Sequence, residues 1–363
     1  MRIGTAHLPL HYGNAPRWLF DRMAKLAREV TIVIVDEYGP SEFLRRISHP
    51  YWFQSFGCVL GFDWHSSGLT TTVGGALKFG LKDVSKDLGL FVAGGKGATS
   101  RKTPSEIETV SNTLGKDFSR LIYSSKMSAK VDSAALQDGY QLYHHNFFFT
   151  KDGDWAVVQQ GMNPTNRWAR RYHWLSDNLK SFVEEPHNAI ACDKTVTPLN
   201  LVAGESNQAR DISTKLACDK PERVVKQFER IRQSTSRLIN LSLPSHEIIQ
   251  PSDIKPENLN RILLSTYENR PKNFETLLAT PGVGPRTIRA LALISELVYN
   301  APASREDPVK YSFAHGGKDG TPYPVDRKTY DKSIEILKFA IEKAKIGDRD
   351  KIQAIKRLQY SIF

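Results

Sequence analysis

Leu277 to Ile294 of this 363-residue chain read LLATPGVGPRTIRALALI. Two apolar stretches with helical spacing flank Pro281-Gly282-Val283-Gly284, and glycines on either side of a small β-branched residue allow a tight turn with uncovered amides. The first N–H groups of the second helix add to those amides. Gly282, Val283, Gly284, Arg286 and Thr287 thus form a candidate cradle for a phosphate oxygen, suited to gripping a nucleic-acid backbone without reading bases. A second set of candidates is acidic. Asp36, Asp63 and Asp138, with His65, fall at or near expected strand ends, where oxygen donors for Mg²⁺ or Mn²⁺ gather; the same acids also suit helix capping. A third set is basic and aromatic: read as a helix, the segment 166–174 puts Arg167, Arg170, Arg171 and Trp174 on one face for backbone contact and base stacking. Two glycine-rich loops, Gly94-Gly95-Lys96-Gly97 and His315-Gly316-Gly317-Lys318, offer amides and a cation to phosphate.

The elements that must position these residues change character along the chain. Ala24 to Val30 reads as the end of an amphipathic helix, and Thr31 to Val35 as a buried strand ending in Asp36 and Glu37. Phe53 to Phe62 reads as a second strand, Leu69 to Gly80 as a helix and Leu88 to Ala93 as a strand. Helical spacing returns from Thr103 to about Ser125. Tyr140 to Thr150 and Trp155 to Gln160 then form a hairpin around Lys151-Asp152-Gly153-Asp154, and Pro164 to Lys180 reads as a basic helix. From about Asn200 strands vanish, and helical patterns run between breaks at Pro221, Pro244, Pro251, Pro256 and Pro271. The expectation is an α/β N-terminal domain with a mixed sheet, residues 1–195, followed by an all-helical domain, residues 196–363, carrying the glycine hairpin within 272–299.

Fifty Lys and Arg against 39 Asp and Glu leave a formal charge of +11, which favours a polyanionic partner. With the hairpin present, DNA fits that partner better than a membrane. The three cysteines, Cys58, Cys192 and Cys218, have neither disulfide-framework nor zinc-ligand spacing. No signal-peptide pattern and no long apolar run occurs, so the expectation is a cytoplasmic protein with no membrane partner.

Leu277, Leu278, the Pro-Gly-Val-Gly turn, Thr287, Ala290 and Leu291 together resemble the helix-hairpin-helix consensus, which implies DNA-backbone binding. RIGTAHLP at 2–9, QDGYQLYHH at 137–145, WAVVQQGMN at 155–163, ARRYHW at 169–174 and FAHGGKDG at 313–320 resemble the family catalogued as domain of unknown function 763. That resemblance covers essentially the whole chain and implies two domains without assigning chemistry. His145, Asp152 and the Gln159 to Asn163 cluster are similar in layout to part of a phospholipase D-like nuclease motif. It implies a histidine that attacks phosphorus, an orienting acid, lysines on the phosphate oxygens, no metal, and a homodimer to complete the site. Phe147 stands where that motif has lysine, with Lys151 and Lys78 as substitutes. The C-terminal half also resembles helix-hairpin-helix DNA glycosylases in its Gly-Val-Gly turn, Arg286 and Asp326. The expected activity is therefore a nuclease of DNA repair or recombination, with a glycosylase and a non-catalytic scaffold for repair proteins as alternatives. Its cofactor is Mg²⁺ or Mn²⁺, or none on the phospholipase D-like reading.

Overall fold

The computed structural model describes residues 17–62, 68–164, 168–177, 179–237, 251–310 and 327–360. Four helices come first: α1 (Arg17–Tyr38), α2 (Pro40–Ile47), α3 (Pro50–Leu60) and α4 (Gly68–Leu81). The sequence reading places strands at Thr31–Val35 and Phe53–Phe62, and both are helix instead. Along α1 the buried residues are Met23, Ala24, Leu26, Ala27, Val30, Thr31, Ile34 and Val35, a helical stripe that runs through the β-branched run without a break. Packing against α4 thereby overrides local β preference. All eleven residues of α3 are buried, so no polar face marks its period. Pro40 and Pro50 open α2 and α3 at positions where a missing N–H is harmless.

A short α5 (Ser85–Leu88) leads into β1 (Leu90–Lys96), followed by α6 (Thr103–Leu114) and α7 (Ser119–Lys130). A π-helical turn, Val131–Ala135, ends α7 and runs into β2 (Leu136–Gln137). Then come β3 (Gln141–Thr150), β4 (Trp155–Met162), β5 (Ala169–Leu175), β6 (Ala189–Ala191) and β7 (Leu199–Asn200). The main sheet has the order β1-β3-β4-β5-β6, and each of its four pairings is antiparallel rather than mixed. β2 pairs separately with β7. The expected hairpin around Gly153 is β3–β4, closed by the Thr150 N–H to the Asp154 carbonyl at 2.9 Å. Pro164 to Lys180, expected to be helical, instead contains β5.

Alternation along the strands feeds two cores. Phe147, Phe149, Trp155, Val157, Tyr172 and Trp174 face α6, α7 and five further helices: α8 (Asn207–Ala217), α9 (Pro221–Arg237), α10 (Pro256–Asn269), α11 (Phe274–Ala279) and α12 (Pro285–Tyr299). Phe148, Ala156 and Val158 face α1–α4 together with α13 (Arg327–Lys343) and α14 (Asp348–Tyr360). The architecture is helical layer, antiparallel sheet, helical layer. The N-terminal region is thus helical before it is β, in place of an alternating α/β order. The first core draws its described residues from both sides of residue 195, from Phe91 to Ala303.

Candidate functional site

The glycine hairpin is built by local chemistry. Asn273 caps α11 with a reciprocal box, its side chain taking the Thr276 N–H while Thr276 takes the Asn273 N–H. Pro281 and Gly282 then form the centre of a β-turn closed by the Val283 N–H to the Thr280 carbonyl at 3.2 Å. Gly282 has φ +85°, the left-handed conformation that the third position of a type II turn demands. Val283 is buried and anchors the turn. Gly284 caps α12 with φ −140° and ψ −174°, extended backbone open to any residue. Pro285 opens that helix. Among the described residues the amides of Gly282, Gly284, Arg286 and Thr287 find no backbone acceptor, the first helical bond being Ile288 N–H to the Gly284 carbonyl at 3.0 Å.

This hairpin is docked on the strand-bearing half of the chain. Gln137 of β2 donates to the Pro285 carbonyl at 2.9 Å, and Tyr123 of α7 donates to Glu275 of α11 at 2.6 Å. Between the hairpin, the π-helical turn and α10 lies an open cleft of about 680 Å³. Gly282, Gly284 and Arg286 line one wall, and Lys255 and Arg261 another. Lys255, Arg261 and Arg286 are all exposed. Asp132 and Asp138 reach its floor.

A second cavity, about 520 Å³, adjoins the first, since Ser133 and Leu142 line both. Leu278 and Ala279 of α11 form one side, and Ser125, His145, Lys126, Lys130 and Arg101 also face it. His145 belongs to a hydrogen-bonded chain on the α7 face of the sheet. Its Nε2 lies 2.9 Å from Ser125 Oγ and its Nδ1 2.7 Å from Gln159 Oε1. The Gln159 amide donates to Asp132 and, at 3.1 Å, to the Ser128 carbonyl. Asp132 also accepts from the Trp174 indole at 2.9 Å and meets His187 at 2.5 Å. Burial lowers the His145 pKa, so the ring is neutral at pH 7. Both donors of the Gln159 amide are spent on oxygens, so its Oε1 accepts from Nδ1–H and leaves Nε2 as a bare acceptor for the serine hydroxyl.

The structure separates other residues that the sequence groups. Asp152 is exposed at the β3–β4 turn, 3.6 Å from Lys116, so it is not brought to His145. Asn163 closes the next loop through its N–H to the Trp168 carbonyl at 3.0 Å. Lys78 is committed to Glu106 at 2.7 Å and cannot stand in for the lysine that Phe147 displaces. Asp36 is exposed on α1, not at a strand end.

Asp138 is buried, accepting from the Tyr140 N–H at 3.1 Å, Arg170 at 3.0 Å and Tyr172 at 2.7 Å, which leaves it little capacity as a metal ligand. Among the described residues no three His, Cys, Asp or Glu side chains converge on one point. Arg170 and Arg171, expected on an exposed helix, lie in β5 and are buried on opposite faces. Arg170 grips Asp307 with both nitrogens at 3.0 and 2.8 Å; burial alone would lower its pKa, but Asp138 and Asp307 drive it well above its ordinary value. Arg171 is held by Gln54 at 3.1 Å and stacks 4.5 Å above Phe53, and burial pushes it down to about 9. Neither can meet DNA. Asp63, His65, Arg167, Lys318 and Asp326 lie outside the described residues. Ser125, Lys126, Lys130, Lys255 and Arg261 are site residues that sequence reasoning misses.

The chain belongs to the family described as protein of unknown function (DUF763), which it matches over residues 4–325. No curated protein and no solved structure matches it. Among the described residues no helix is long and apolar enough to cross a membrane.

Proposed function

We propose that this protein grips the sugar–phosphate backbone of DNA through the Thr280–Thr287 hairpin and processes the bound strand as a nuclease of DNA repair or recombination. One observation carries the binding half: Gly284 has no internal reason to be glycine. Its backbone is extended, and a Cβ built on it would come no closer than 3.9 Å to any neighbour. A glycine standing where neither conformation nor packing requires one, beside uncovered amides in an open cleft that three exposed cations line, fits close approach of a phosphate to the main chain. Lys255, Arg261 and Arg286 add sequence-independent attraction. The enzymatic half draws on the adjoining cavity and its hydrogen-bonded histidine.

The test is fluorescence anisotropy with labelled single-stranded, duplex and branched DNA between 50 and 300 mM salt. The same substrates go on a denaturing gel with EDTA, Mg²⁺ or Mn²⁺. Affinity should fall steeply with salt, and replacing Arg286 or Lys255 by Gln should reduce the log–log slope by about 0.9 for each phosphate no longer neutralised. Affinity indifferent to salt would defeat the binding half. Binding with no cleavage in any metal condition would leave a scaffold.

A further inference from the structure

We infer that Ser125 is a nucleophile, with His145 as its general base, in a pocket that takes a phosphate diester; the choice of a nucleic-acid diester rests on the function proposed above.

The helix shows that Ser125 is singled out from its neighbours. Serines within helices ordinarily turn their hydroxyls back onto the preceding turn. Ser124 does this to the Arg120 carbonyl at 2.9 Å, and Ser128 does it to the Ser125 carbonyl at 3.1 Å. Ser125 instead points across to His145 Nε2 at 2.9 Å. Behind His145 every partner is fixed so that Nε2 is the basic atom. Gln159 holds Nδ1–H, and Gln159 is itself pinned by Asp132 and Ser128. Asp132 is tied in turn to Trp174 and His187. Nucleophile, base and orienting group thus stand in the order that activates a hydroxyl. Unlike an ordinary buried network, this one ends in a cavity, with Ser125 and His145 in its wall. Exposed Arg101 and Lys126 and half-buried Lys130 line the same wall and give it the charge to hold an anionic ester. The cavity also meets the hairpin cleft at Ser133 and Leu142, so a strand gripped at Gly284 has a path to Ser125.

The chemistry balances as a double displacement at phosphorus. Ser125 Oγ attacks the phosphorus, its proton passes to His145 Nε2, and the bond to one bridging ester oxygen breaks. That oxygen leaves from the far side and takes a proton from solvent. Water then attacks the phosphoserine diester and gives one proton back to solvent, the Ser125–phosphorus bond breaks, and His145 returns its proton to Ser125. The sum is one diester and one water giving a phosphomonoester and an alcohol, with no oxidant or bound metal required in the balance.

A fluorophosphonate probe tests this without DNA, because its phosphorus loses fluoride to an activated serine. Tryptic mass spectrometry of the labelled wild-type protein should place the adduct on Ser125. Ser125→Ala should abolish that adduct, and His145→Gln should slow labelling by on the order of 10²-fold or more. Circular dichroism and DNA anisotropy are read on the same samples. Labelling of Ser125 with no DNA affinity would uphold the nucleophile and overturn the DNA reading. DNA affinity with no adduct on Ser125, or an adduct on another serine, would overturn the nucleophile. A covalent protein–DNA species trapped by SDS during turnover, absent in Ser125→Ala, would join the two.

Discussion

The two glycines of the hairpin should fail in opposite ways when given a methyl group. Gly282 has φ +85°, and its nearest neighbour for a Cβ, in Ile262, is 3.8 Å away, so Gly282→Ala meets conformational strain rather than a clash. A non-glycine residue held in that region costs about 1–2 kcal/mol, which for a chain of this length lowers Tm by about 1–3 °C. Gly284→Ala meets no strain, since φ −140° suits alanine and no atom lies within 3.9 Å. Its Tm should hold or rise slightly as the unfolded chain loses freedom. If a phosphate docks on the Gly284 and Arg286 amides, however, the added methyl stands between them. Losing one charge-assisted hydrogen bond is worth about 1.5–3 kcal/mol, which raises Kd by roughly 10- to 150-fold. The assay pairs calorimetric melting with anisotropy on a labelled duplex at low salt, comparing wild type and both variants. Gly284→Ala binding as tightly as wild type would mean that no phosphate docks on these amides, whatever Gly282→Ala does.

Arg170→Ala should destabilise by about 3–5 kcal/mol in urea unfolding, because it strands two carboxylates, Asp138 and Asp307, that it holds in the interior; a change under 1 kcal/mol would mean that those acids are solvated or protonated. Burial pushes the His144 ring down to about 3 from 6.5. Between those values the unfolded chain binds a proton that the native state refuses, so its share of stability is intact above pH 6.5 and is lost by about 1.4 kcal/mol per unit as pH falls. Urea titrations of His144→Gln between pH 6 and 4 should therefore have a shallower slope than wild type, and equal slopes would count against the burial. Asp152→Ala, which loses only a surface pair with Lys116, should shift stability by less than about 1 kcal/mol and leave any nuclease activity intact; loss of activity would return Asp152 to the site.

What could be read from the residues was whatever is decided within a few positions. Pro281-Gly282 dictates its own turn, and Lys151-Asp152-Gly153-Asp154 dictates the β3–β4 hairpin. That turn also fixes register: pairing Thr150 with Asp154 puts His145 opposite Gln159, a pairing available from counting alone. The misread parts depend on distant partners. The apolar runs of α1 and α3 carry no polar edge by which a helix could be told from a strand, because other helices and the sheet cover them. Arg170 and Arg171 read as solvent-facing cations until Asp307, Gln54 and Thr70, each more than a hundred residues away, supply their partners. Ser125 carries no signal in sequence at all. It acquires meaning only when a strand twenty residues on delivers His145.

The return of α13 and α14 to the N-terminal layer has a consequence for synthesis. Leu337, Ala340, Ile341, Ala354 and Leu358 complete the core that α1–α4 begin, and Arg357 reaches the Val59 carbonyl across 298 residues of sequence. While the chain is being made, α1–α4 emerge long before α13 and α14 and must therefore hold an unfinished apolar face until those helices have been translated. The family match ends at residue 325, just before the two helices that close this face. A protein trimmed to that limit would keep its hairpin and its Ser125 pocket yet carry a permanently open seam, a target for chaperones and proteases rather than a smaller working unit.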